Sequence, residues 1–108
     1  MADSFNQQPE TSVAQTILEQ LGGRRFMVMT GAKNCLNHGD ALSFKLPSRF
    51  ARDGINYVKI VLNQDDLYDL EFGKIWGTKY TVLQRKTGIY NDMLRTVFTN
   101  VTGLDTHL

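Results

Sequence analysis

The chain lacks the means for several chemistries. Its 108 residues hold one cysteine, Cys35, so no internal disulfide can form and a reducing compartment is the expectation. No apolar run approaches the roughly 18 residues that span a membrane. Residues 1–20 lack the basic-then-apolar order of a signal peptide. Internal repeats and low-complexity segments are absent. No excess of one charge is present either, because twelve cations face eleven acids. Together these point to a single domain in the cytoplasm that makes no use of a membrane.

What is present is an ordinary globular composition, with 42% apolar and 21% charged residues. The near-neutral total hides blocks. Residues 24–59 carry seven cations against Asp40 and Asp53, whereas Asp65, Asp66, Asp69 and Glu71 stand together without a cation. Such blocks can steer a charged partner or simply balance one another as solvated faces.

Residues 1–10, "MADSFNQQPE", are polar and aperiodic and read as a disordered arm before one domain over 11–108. Thr11 or Ser12 can cap a short helix in which Val13, Ala14, Ile17, Leu18 and Leu21 recur at helical spacing, with Gly22-Gly23 as its stop. "RFMVMT", residues 25–30, then reads as a strand apolar on both faces. "ALSFKLP", "INYVKIVL" and "LYDLEF" alternate as half-buried strands do, and "KYTVLQRK" is a fifth, weaker candidate. Near the end, Tyr90, Met93, Leu94, Val97, Phe98 and Val101 form an apolar stripe over three turns. The expected fold is therefore α+β: a short N-terminal helix, an antiparallel meander of four to five strands, and a C-terminal amphipathic helix on one sheet face.

"MTGAKNC" lacks the glycines, the Ser or Thr after the lysine and the following helix of a phosphate loop. The ten-residue connection Gly31–Asp40 is long for a hairpin, which makes it a candidate binding loop. Cys35 and His38 within it fall short of a zinc set or a nucleophile pair, since the only other histidine is His107. Asp69 and Glu71, followed by Lys74, suggest a magnesium-dependent nuclease. A regular strand puts Lys74 on the wrong side for that, and a bulge at Gly73 would turn Lys74 outward to pair with Glu71 and send Ile75 into the core. "LPSRFARDG" offers Arg49, Phe50 and Arg52 as a basic, aromatic contact, with Lys45, Tyr57 and Lys59 on the outer sheet face.

The set "FMVMTGAKN", "LSFKLP", "NYVKIVLN", "DLYDLEFGKI" and "GIYNDMLRTVFTNVTGL" resembles a group of short uncharacterised proteins encoded by tailed phages and prophages. The resemblance covers residues 16–108. It implies a small accessory protein inside a bacterial cell and brings no catalytic residue with it.

The expectation drawn from all this is a non-enzymatic binding protein with no catalytic residue, metal or cofactor. Lys33, Asn34, Arg49, Phe50 and Arg52 are its contacts to a host or phage protein. The alternative is a DNA- or RNA-binding protein using the same basic residues, and a third reading is the nuclease. An uncovered edge strand could also pair with a second copy. Convergence of Lys33, Lys45, Arg49, Arg52 and Lys59, away from Asp69 and Glu71, would favour nucleic acid, and dispersal would favour protein.

Overall fold

Ser12 starts the first helix, its hydroxyl accepting from the Gln15 backbone N–H at 3.1 Å. The computed structural model describes residues 12–104; the expected arm over 1–10 and His107 lie outside them. Helix α1, Val13–Leu21, buries Ala14, Ile17 and Leu21 and ends at Gly22, φ 129°.

The next segment departs from expectation. Residues 25–30 are not a strand but lie in helix α2, Arg24–Thr30. A strand would set Phe26, Val28 and Thr30 on one face. The helix buries Phe26 and Thr30, four residues apart, and leaves Val28 76% exposed. Gly23, at φ 62°, turns the chain between the helices in a conformation open chiefly to glycine. The Thr30 hydroxyl donates to the Phe26 carbonyl at 2.7 Å and accepts from the Ala32 N–H, closing the helix end above Gly31, φ 73°.

The expected long loop is also mostly strand. Lys33–Asn37 form β1, which pairs antiparallel with β2, Ala41–Lys45. Only His38, Gly39 and Asp40 are left to turn the chain, with the Asn37 side chain accepting from the Gly39 N–H at 2.8 Å. β1 shows no alternation because it is an edge strand with most of its residues exposed.

Strands β3 (Tyr57–Leu62), β4 (Tyr68–Trp76) and β5 (Lys79–Ile89) complete a five-stranded antiparallel meander in sequence order, so the weak fifth candidate belongs to the main sheet. Asn63 organises the β3–β4 turn by accepting from the N–H groups of Asp65 and Leu67. Gly77, φ 63°, supplies the first central position of the two-residue β4–β5 turn.

The expected bulge at Gly73 takes another form. β4 stays in register with β3 as far as Tyr57 opposite Gly73. The extra residue is Leu83 on β5, because Phe72 faces Gln84 and Gly73 faces Val82. Glu71 consequently bonds Tyr80 and Arg85 rather than Lys74.

One sheet face is the core. Leu42, Phe44, Val58, Ile60, Tyr68, Leu70 and Phe72 alternate onto it, and all three helices pack there. Helix α3, Leu94–Thr102, lays Leu94, Phe98 and Val101 against it. Phe98 meets Phe26, Phe44 and Phe72 with ring centroids 5.1, 6.2 and 6.5 Å apart. The stripe is shorter than expected: Tyr90 and Met93 precede α3, around a 3-10 turn, and are exposed. Among the described residues no helix is long and apolar enough to cross a membrane.

Candidate functional site

The second sheet face carries no described helix, and the register assigns its side chains to rows. One row runs Lys33, Lys45, Tyr57, Gly73 and Val82. The next runs Leu36, Ser43, Lys59, Glu71 and Arg85. Antiparallel pairing thus gathers on one surface residues up to about fifty positions apart in the chain.

The first row is unusual in setting two lysines directly opposite each other. Like charges across a strand pair repel, and among the described residues neither has a carboxylate partner. They flank an open hollow of about 330 Å³ lined also by Asn34, Ser48, Asn56 and Ile75. Asn34 stands at φ 56°, in the left-handed region that asparagine tolerates better than most residues. Asn56 is not free for a ligand, since its amide brackets Ile75, donating to the carbonyl and accepting from the N–H. The lysines, Asn34 and Ser48 are the hollow's available polar groups.

Beside the hollow, Tyr80 lies across bare Gly73, where an added Cβ would stand 2.6 Å from its hydroxyl oxygen. The ring meets Tyr57 edge-on at 5.3 Å and remains 42% exposed. Its hydroxyl donates to Glu71 at 2.7 Å, and the Arg85 Nε reaches the other carboxylate oxygen at 3.3 Å. Burial first, and then the bond to Glu71 and its charge, hold the phenol well above the ordinary tyrosine value of 10.0. The ring is therefore uncharged at neutral pH.

The ends of the sheet differ in charge. Lys33, Lys45, Arg49, Lys74 and Lys79 come from the strand ends and connections at one end. Asp40, Asp65 and Asp66 occupy the turns at the other, roughly 17 Å away along a five-residue strand.

The residues named from sequence separate into groups. Lys33 and Asn34 line the hollow. Arg49, at φ 62°, and the half-exposed Phe50 follow Ser48 in the chain and do not line it. Arg52 turns to the other side, donating from Nη1 to the Asn100 carbonyl at 2.9 Å near the end of α3. Lys59 sits directly opposite Glu71. The basic residues thus neither all converge nor all disperse.

Both carboxylates of the nuclease reading have structural work. Asp69 Oδ1 accepts from the Asn63 amide and the Gly88 N–H, tying the β3–β4 turn to β5. Among the described residues no three His, Cys, Asp or Glu side chains gather to hold a metal ion. Cys35 is not with His38: its thiol points to the Met27 sulfur at 3.7 Å and burial pushes its pKa up, whereas His38 Nε2 meets the Ser43 hydroxyl at 2.7 Å.

Sequence reasoning overlooked Tyr80 and Trp76. Trp76, on the β4–β5 hairpin tip, is 70% exposed, with the Lys74 Nζ 5.5 Å from its ring centroid. A usable signal was there, since residues 72–91 hold Lys74, Lys79, Arg85 and Lys86 with no acid.

No family model, curated protein or solved structure matches the chain.

Proposed function

We propose that this chain is a non-enzymatic binding protein and that its open sheet face holds single-stranded nucleic acid. One observation carries the reading: an exposed aromatic ring, Tyr80, packs against Gly73, in a row of the open face that also holds two lysines without counter-ions among the described residues. A base can stack on the outward face of the ring while Lys33 and Lys45 take up phosphate charge. Glu71 does not oppose this strongly, because Arg85 and Tyr80 already occupy its oxygens. The setting inside a bacterial cell, implied by the resemblance to phage-encoded proteins, belongs to the same proposal.

Fluorescence anisotropy of a labelled oligothymidylate tests it. Affinity is expected to fall steeply with salt, and Lys33→Ala and Lys45→Ala each to lower the log–log slope by about 0.7. Tyr80→Ala is expected to cost about 1–3 kcal/mol of binding. Salt-independent or absent binding overturns the reading.

A second reading rests on Phe50, 51% exposed and next in the chain to Arg49, just after Ser48 of the hollow's lining. It makes the same end of the sheet a dock for an acidic host or phage protein. A nuclease-treated bacterial lysate, probed with the wild type and an Arg49→Ala, Phe50→Ala double variant, separates the two. A partner retained only by the wild type supports it, and equal recovery by both proteins removes it.

A further inference from the structure

Trp76 is the chain's single tryptophan, and the fold leaves it in water. It ends β4, beyond Gly73, the last residue paired with β3, and it lies outside the buried core. Strand alternation puts Trp76 and Lys74 on the helix side of the hairpin, and puts Tyr80 on the open side. Lys79 faces Trp76 directly across the two-residue turn. The tip therefore presents an aromatic ring on each of its faces, with cations alongside and no acid between residues 72 and 91.

A cation–π contact with Lys74 orients the indole but covers only a small part of it. Leaving so large an apolar surface in water is unfavourable, and neighbouring cations make the site complementary to a polyanion with flat apolar groups.

We infer that Trp76 is a second stacking platform for the same strand. The nucleic acid passes round the hairpin tip, one base on Tyr80 and a later base on Trp76, with Lys74 and Lys79 following the phosphates between them. The inference rests on the nucleic-acid reading of the sheet face and adds a preference to it. An unpaired strand can offer a base to each face of the hairpin, and a duplex, whose bases are already stacked on one another, cannot.

The test uses the full chain and two readouts. Anisotropy of labelled oligothymidylate reports binding anywhere on the protein, and the emission of Trp76 reports contact at the tip. Emission is expected to be quenched along the same isotherm as anisotropy, and a duplex of equal length to quench little. Trp76→Ala is expected to weaken strand binding roughly tenfold and Trp76→Phe much less. Trp76 has no core contacts to lose, and a thermal melt checks that both variants fold.

Binding that depends on Lys45 and Tyr80 but leaves Trp76 emission and Trp76→Ala affinity unchanged overturns the inference and spares the sheet-face reading. No binding by anisotropy overturns both. A blue-shifted emission with phosphatidylglycerol vesicles and no response to the oligonucleotide would assign the tip to a lipid surface and also overturn it.

Discussion

Phe26 and Phe98 meet edge to face with ring centroids 5.1 Å apart, and each stands four residues before a buried threonine that a left-handed glycine follows. The two helix ends are chemically the same. Thr30 and Thr102 each donate to the carbonyl of their phenylalanine, at 2.7 and 2.8 Å, and each accepts from the N–H two residues on, at 3.2 Å. The hydroxyl thus places its own proton on a carbonyl of the preceding turn and satisfies an amide beyond the helix end that burial would otherwise leave unpaired.

Thr30→Val and Thr102→Val are accordingly expected to destabilise the fold by about 1–3 kcal/mol each, and the serine variants by less. The glycines should differ. An alanine at Gly31 meets left-handed strain and also the Pro47 ring, 2.8 Å from the new Cβ. At Gly103 the nearest neighbour is the mobile end of Arg52 at 3.4 Å, leaving chiefly the backbone cost of about 1–2 kcal/mol. Urea unfolding of the pair checks the order, and equal losses would contradict it.

The repeated pattern was legible in "FMVMTGA" and "FTNVTGL", and it was the one sign that residues 25–30 end a helix. Seven residues are too few for periodicity to separate helix from buried strand, and Met-Val-Met suits either. The three alternating strands and α3 were readable because apolar residues recur in each at the spacing of its buried face, even in Ala41–Lys45, where Ser43 on the other face is buried as well. β1 was not, since an exposed edge imposes no pattern on Lys33–Asn37. The candidate site was half visible. Lys33 and Asn34 could be named individually, but the meeting of Tyr57 with Tyr80 depends on β3–β4 and β4–β5 register and on an extra residue at Leu83. Local sequence carries no record of such pairings.

Arg52, one of the expected contacts, lays its guanidinium against the carboxyl end of α3. A cation there complements the helix dipole and an unpaired carbonyl. Arg52→Ala is expected to lower stability by about 0.5–1 kcal/mol, the worth of an exposed helix-end contact. It should leave the salt slope of oligonucleotide binding unchanged. A slope reduced as far as in Lys45→Ala would return Arg52 to the binding surface.

Gly73 and Tyr80 form a pair in which the missing side chain makes room for the ring. Gly73→Ala places a methyl where the ring lies, and Tyr80 must swing away. The expected cost is about 1 kcal/mol, because a half-exposed ring can move. In a Tyr80→Ser background the same alanine should cost almost nothing, and that coupling is what a double-mutant cycle measures. Additive losses would mean that the ring does not depend on the bare backbone beneath it.

The Tyr80 phenol gives stability a pH dependence whose sign is fixed by its raised pKa. Burial and the Glu71 carboxylate keep the proton on in the folded chain at pH values where an unfolded tyrosine, near 10.0, releases it. Above that value the unfolded state binds fewer protons than the folded state. Unfolding free energy therefore declines as pH rises past the ordinary tyrosine range, and this component is flat below it. The comparison is with Tyr80→Phe, which keeps the ring and removes the proton. The wild type should lose stability more steeply than Tyr80→Phe in alkaline urea titrations. Glu71→Gln should fall between them, because it removes the carboxylate charge but leaves the burial. Superimposable curves for all three proteins would show that the hydroxyl is solvated and that Glu71 does not hold it.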